Sequence, residues 1–363
     1  MLALSELVAE FADPRAQAVL AQGAQWLCIA SPIGQQPLPG LYIGEAGIGA
    51  ALLRAGQVLH DEQLIKAAIE RGRQIVSLPY ASPDIYNGTA GRLLFHLLLW
   101  DETGEQEHLD AALVCGKHLL IGSTVQDNSE VTWTIPEGYE ELSGKTPLGY
   151  AHGTAGIANV LLDLFEVTGD ERFLPLIQGA GRWLLRQAVP TLEDESGLSW
   201  PKFPGDTPTS AFWCHGGAGI ARFFLHAARC DVIPGARDIA ERAARTVART
   251  TRWATTTQCH GLSGNIELLL DMYQETGDRS YLDEALIFGR LLEAFATKQN
   301  GHVVFPSDIP NVFTPDYMVG YSGVAVCLLR LSAPERLPHQ LSRAGFRSCK
   351  SGVVPIQNMV HVS

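Results

Sequence analysis

Apolar and polar positions along the chain fall into two alternating kinds of segment. Stretches such as IANVLLDLFEVT (157–168) and NIELLLDMYQET (265–276) are apolar on nearly every face, which predicts helices buried on all sides. Between such stretches lie amphipathic ones, for example LIKAAIERGRQIVSL (64–78) and LDEALIFGRLLEAFATK (282–298), which predict helices with one wet face. The joints carry stop and start signals. TGEQEHL (103–109), TGDERFL (168–174) and TGDRSYL (276–282) each put Gly at the left-handed position ending one helix and Asp or Glu at the start of the next. Short joints without strand-like alternation predict an all-α chain of helical hairpins.

A glycine signature marks where each buried helix begins. The form G-x-[AS]-G followed by an apolar run occurs at Gly44, Gly88, Gly153, Gly216, Gly261 and Gly320, at intervals of 44, 65, 63, 45 and 59 residues. The unit is therefore about 45 residues with insertions in three places, the mark of a repeat architecture. No β-branched strand precedes the glycines and no Gly-Lys-Ser/Thr follows, so dinucleotide and P-loop readings fall away. Buried helices inside a ring of amphipathic ones predict an α/α toroid, with an open helical solenoid as the alternative. In the toroid the glycines let backbones crowd at the starts of the inner helices, and all six starts face one mouth.

Composition narrows the partners. With 27 Lys and Arg against 39 Asp and Glu, the net charge is −12 and no long like-charge run interrupts it, which argues against nucleic acid. The opening MLALSELVAEFADP lacks a basic n-region and no stretch of about 20 apolar residues occurs, so neither a signal peptide nor a membrane span is expected. A soluble, cytoplasmic protein is the expectation. The seven cysteines (28, 115, 214, 230, 259, 327, 349) are odd in number and thinly spread, which suits reduced thiols.

Register within the repeat then singles out a site. The residue before each first glycine is Ile43, Asn87, His152, His215, His260 or Val319, and the one before that is Tyr42, Tyr86, Ala151, Cys214, Cys259 or Met318. Three histidines and two cysteines thus share neighbouring units in register, and position −4 adds Asp84 and Asp316. Thiolates and imidazoles converging at helix starts suit Zn²⁺, and three protein ligands would leave a fourth position open, as in catalytic zinc sites. Buried filler cysteines beside satisfied histidines, or a Cys–His nucleophilic pair, are the competing readings.

With DIYNGTAG, YAHGTAGI, FWCHGGAGI and QCHGLSGN in that order, the chain resembles the LanC-like family, the lanthionine synthetase cyclases and their relatives. The resemblance runs over nearly the whole chain. It implies an α/α toroid, usually of seven hairpins, so that the six signatures leave one degenerate unit at a terminus. It further implies zinc ligands at Cys214, Cys259 and His260, an acid/base histidine at His152 and an acidic partner at Asp84. His215 would stand beside the metal or face the substrate, as the alternative proton donor. Some relatives carry Arg four residues before the first zinc Cys, where this chain has Ser210. The implied activity is addition of a peptide Cys to dehydroalanine or dehydrobutyrine, closing a thioether ring in a dehydrated precursor peptide.

Two related readings stay open: addition of glutathione or another thiol to dehydrated residues in proteins, and a non-catalytic peptide-binding scaffold. Glycoside hydrolysis would need two inward carboxylates, for which Asp84 and Asp316 are available, but it leaves the thiols unexplained. Zinc-dependent prenyl transfer calls for a basic diphosphate pocket that the sequence does not mark. No kinase, lyase or dehydratase sequence is present, so a separate partner or further synthetase domains must dehydrate the substrate. The insertions at 131–147 and 191–210 precede mouth segments and are candidate lids. One domain over 1–363 is expected, with residues 334–363 an irregular tail.

Overall fold

A computed structural model describes residues 1–30, 37–208, 211–250, 252, 255–309 and 311–351. The chain is a succession of helical hairpins: α1 (Leu2–Phe11) with α2 (Pro14–Ile29), α3 (Glu45–Leu59) with α4 (Glu62–Ile75), and α5 (Thr89–Thr103) with α6 (Gln106–Ile121). The series continues with α7 (Thr154–Thr168) and α8 (Leu174–Arg186), α9 (Gly217–Arg229) and α10 (Ala236–Thr250), and α11 (Leu262–Thr276) and α12 (Arg279–Phe295). Next come α13 (Tyr321–Ser332) and α14 (Arg343–Ser351). Odd-numbered helices α1 to α13 pack side by side into a closed inner ring, with α13 against α1, and α2 to α12 lie outside. The architecture is an α/α toroid. The seventh inner helix, α1, is the degenerate unit, at the N-terminus.

Burial follows the pattern of apolar positions. In α7, Thr154 to Leu162 are all buried, and so are Leu262 to Leu270 in α11, whereas α4 buries only Leu64, Ala68, Gly72 and Ile75. At the joints, Gly104, Gly169 and Gly277 end α5, α7 and α11 in the left-handed conformation. Asp170 and Asp278 then cap the next helical turn through their carboxylates, but Glu105 makes no side-chain cap bond. Asp and Asn are the preferred acidic and amide caps because their short side chains reach the second or third helical N–H.

The expectation of no strands needs a correction. Three two-stranded antiparallel hairpins sit in the insertions: β1 (Thr124–Val125) with β2 (Val131–Thr132), β3 (Val189–Thr191) with β4 (Gly197–Ser199), and β5 (Thr297–Gln299) with β6 (His302–Val304). Each follows an outer helix. The first two are anchored alike, because the buried indole N–H of Trp133 donates to the Leu119 carbonyl at 2.8 Å and that of Trp200 to the Leu184 carbonyl at 2.7 Å. Both tryptophans thereby bond a carbonyl in the last turn of the preceding outer helix.

Residues 334–351 also depart from the irregular tail expected of them, since they contain α14. They cross the end of the barrel opposite the glycine starts: Arg343 grips Asp101 near the end of α5 through two bonds of 2.8 Å, and the Gln340 amide reaches the Leu2 carbonyl at 2.9 Å. Among the described residues no helix is long and apolar enough to cross a membrane.

Candidate metal centre and acid/base pair

The mouth is built by a backbone ladder between repeats. The amide of Tyr42 donates to the carbonyl of Tyr86, Tyr86 to Ala151, Ala151 to Cys214, Cys214 to Cys259, and Cys259 to Met318, at 3.2, 3.1, 3.0, 3.4 and 2.9 Å. Every residue in this chain of bonds holds the same register position, two before a first glycine. The cysteines are therefore neighbours because the fold stacks equivalent turns, each hydrogen-bonded to the next.

The glycines make that stacking possible. A Cβ on the fourth residue of each signature, Gly47, Gly91, Gly156, Gly219, Gly264 or Gly323, would collide with the carbonyl six residues earlier, that of Leu41, Ile85, Tyr150, Trp213, Gln258 or Tyr317. The mouth turn folds directly back onto the first turn of its inner helix, and only glycine leaves room.

Three of the candidate residues meet at one point. The Sγ atoms of Cys214 and Cys259 and a ring nitrogen of His260 lie within 4.8 Å of one another, with Cys259 Sγ 3.6 Å from His260 Nε2. The opposite nitrogen of His260, Nδ1, is 2.7 Å from Asp308, whose carboxylate also accepts from the hydroxyls of Thr255 and Thr257 at 2.9 and 2.6 Å. Asp308 holds the proton on Nδ1 and leaves Nε2 as the nitrogen facing the thiols. Burial alone would lower the His260 imidazole, but Asp308 and Cys259 outweigh it and lift it to about 10. The shared contact with Cys214, then burial, push the Cys259 thiol far up. Two nearly buried thiols and an oriented imidazole are a donor set that fits Zn²⁺.

His215 stands against this cluster. Its Nδ1 is 2.8 Å from Cys214 Sγ, its ring centroid is 5.8 Å from that of His260, and Phe212 packs edge-on against both rings. Burial, then the neighbouring His260, lowers it to about 4. Around the same mouth, His152 Nδ1 lies 2.7 Å from the fully buried carboxylate of Asp84, while a quarter of the His152 side chain remains exposed. The other oxygen of Asp84 accepts from the Asn87 amide at 2.8 Å and so fixes the turn. Tyr86 bridges the two groups of residues, 4.8 Å from the His152 ring and stacked on Tyr42 at 5.4 Å. Asp316, the register equivalent of Asp84, spends its carboxylate on the amides of Met318 and Val319.

The register reading missed Asp308 because it lies twelve residues before Gly320, outside every matched position. Nothing in its local sequence marks it. Ser210, expected to matter as a departure from relatives with Arg, lies outside the described residues. The two insertions do reach the mouth: Lys202 pairs with Glu141 at 2.7 Å, and both act on the charge of His215.

Comparisons with known proteins bear on the fold and the family. Nisin cyclase matches 97% of the chain and 90% of its own length with a TM-score of 0.70 at 17% identity. A sugar epimerase from a ruminal bacterium matches 87% of the chain and 98% of its own length with a TM-score of 0.54 at 12% identity. At these identities both likenesses speak for the fold. Among curated proteins, Glutathione S-transferase LANCL1 of Danio rerio is 26% identical over 187 residues, half of this chain and 42% of that protein's length. A family model described as "Lanthionine synthetase C-like protein" matches residues 16–341, and the chain belongs to the lanthionine synthetase C-like family.

Proposed function

We propose that the chain is a zinc-dependent lanthipeptide cyclase that adds Cys thiols of a dehydrated precursor peptide to its dehydroalanine or dehydrobutyrine residues. The observation that carries this reading is the convergence of Cys214, Cys259 and an Asp308-oriented His260 at the same mouth as the His152–Asp84 pair. Cys214, Cys259 and His260 would hold the metal. When bound there, Zn²⁺ supplies a lowered pKa for a substrate thiol, which is otherwise about 8.5.

The chain's own residues then manage protons. The substrate sulfur forms a bond to the β-carbon of the dehydro residue, the double bond's electron pair moves to the α-carbon side, and that carbon takes a proton. The net reaction adds S–H across C=C, with no oxidant and no leaving group. His152 is the donor we favour. Asp84 keeps a proton on Nδ1 and orients the ring, so His152 gives and regains its second proton at Nε2. His215, held to about 4, is neutral at pH 7 and is a poorer source of that proton. Tyr86 and Tyr42 stack beside His152, and Phe212 packs edge-on against His215 and His260.

A soluble thiol such as glutathione as nucleophile is a second reading, favoured by the name of the zebrafish relative. Mass spectrometry separates the two. Ring closure leaves a dehydrated peptide's mass unchanged but removes alkylatable thiols, whereas glutathione addition raises the mass by one glutathione per site. If Cys259→Ala leaves both zinc stoichiometry and ring closure unchanged, the metal assignment is wrong. Dehydration would come from a separate dehydratase or kinase/lyase partner, or from further synthetase domains.

A further inference from the structure

A second constellation of metal-binding side chains lies at the far end of the barrel. Glu166 near the end of α7, His226 near the end of α9 and Cys230 just beyond it present one oxygen, one nitrogen and one sulfur within 4.8 Å of one another. His226 and Cys230, the residue that caps the end of α9 in helical conformation, are four residues apart and fall on one face, and Glu166 faces them from α7. Glu166 reaches both partners, with Oε2 2.9 Å from His226 Nε2 and Oε1 3.3 Å from Cys230 Sγ. The remaining ring nitrogen, Nδ1 of His226, is 3.1 Å from the side-chain oxygen of Asn159. The Asn159 and Glu166 oxygens both accept, so Nδ1–H donates to Asn159, and Nε2, which donates to Glu166, is the nitrogen whose proton a cation would replace.

Two further observations favour a cation there. Asp163, one turn before Glu166 on α7, lines the same cavity, and no hydrogen-bond donor reaches its carboxylate among the described residues. The cavity itself, about 400 Å³, is lined by residues of α7, α9 and α11 and by residues 338–347, with Glu166 and His226 on its wall. The guanidinium groups of Arg229 and Arg343 lie close to these carboxylates and moderate their charge. From the mouth the cluster is separated by the length of α9, 13 residues or about 20 Å.

We propose that Glu166, His226 and Cys230 form a second divalent-metal site, independent of the cluster at the mouth. A mixed nitrogen, sulfur and oxygen set suits Zn²⁺, with Co²⁺ as its spectroscopic substitute. Three protein ligands leave a position for water or for Asp163.

Zinc bound to the purified full-length protein, measured against a chromophoric chelator, is expected to be two equivalents in the unchanged chain and one in Cys230→Ala. The double variant Cys214→Ala/Cys259→Ala, which has no thiol at the mouth, is expected to keep one equivalent. It should also show a near-ultraviolet thiolate-to-Co²⁺ band that Cys230→Ala abolishes and Glu166→Gln weakens in metal affinity about tenfold or more. A single equivalent that Cys259→Ala removes and Cys230→Ala leaves would overturn the second site alone. A single equivalent with the opposite response would support it while removing the mouth assignment. Far-ultraviolet circular dichroism of each apo variant separates lost binding from lost folding.

Discussion

His260 owes its orientation to Asp308, and Asp308 in turn is steadied by the hydroxyls of Thr255 and Thr257. Groups of this kind typically change metal affinity by 10–100-fold when removed. Asp308→Ala is therefore expected to weaken zinc binding at the mouth by about that factor with helical content unchanged, as read by chelator competition. Unaltered affinity would remove the positioning role. For His152→Ala the expectation is different: zinc retained, and the rate of ring closure lower by about 10²–10⁴, the usual worth of a positioned acid. A third histidine bears on stability. His96 is buried with both ring nitrogens unpartnered, and burial, then His108 and Arg92, hold it down to about 3. Because its native pKa lies below the ordinary value near 6.5, the unfolded chain takes up the proton first as pH falls. Stability is thus full above about 6.5 and declines towards 3, by about 1.4 kcal/mol per pH unit from this group. Denaturant melts at pH 7 and pH 5 should show the decline, and His96→Leu should flatten it.

Among elements, the starts of the six inner helices α3 to α13 are tightly constrained by the mouth turns folded onto them. The GGAG stretch opening α9 offers an internal control. A Cβ at Gly219 would strike the Trp213 carbonyl and come within 2.6 Å of the Tyr150 side chain, whereas one at Gly217 meets nothing nearer than 3.9 Å. Gly219→Ala should cost about 1–3 kcal/mol or more, through forced displacement of the mouth turn. Gly217→Ala should be neutral or stabilising by up to about 1 kcal/mol, since alanine is the better helix former. Thermal melts of the pair test the account, and equal effects would contradict it. Zinc affinity should fall only in Gly219→Ala, because Cys214 follows the displaced carbonyl.

At the scale of the whole molecule, the ring must be closed, and charged groups do much of the closing. Arg330 on α13 is almost fully buried and binds Glu267, Asp271 and Gln274 of α11, while Arg336 pairs with Glu10 of α1. Arg330→Met leaves Glu267, itself 2% exposed, without its cation, and should cost about 3–5 kcal/mol in urea unfolding.

The repeat period, the alternation of buried and half-buried helices and the matched register of Cys214, Cys259 and the histidines were legible in the chain itself. Each is a local constraint repeated along it: a glycine needed at every close turn, an apolar face at every inner helix. The first hairpin was not legible, because α1 carries no glycine pair at its start. Nor were Asp308, the tryptophan anchors or the cluster at the far end. Asp308 reaches His260 across 48 residues and Glu166 reaches His226 across 60, and neither sits at a position the repeat renews. Sequence settles what must recur in every unit for the units to stack. Which single side chains then meet depends on how the insertions and the closing segment lie over the finished ring, and only the folded chain brings those into contact.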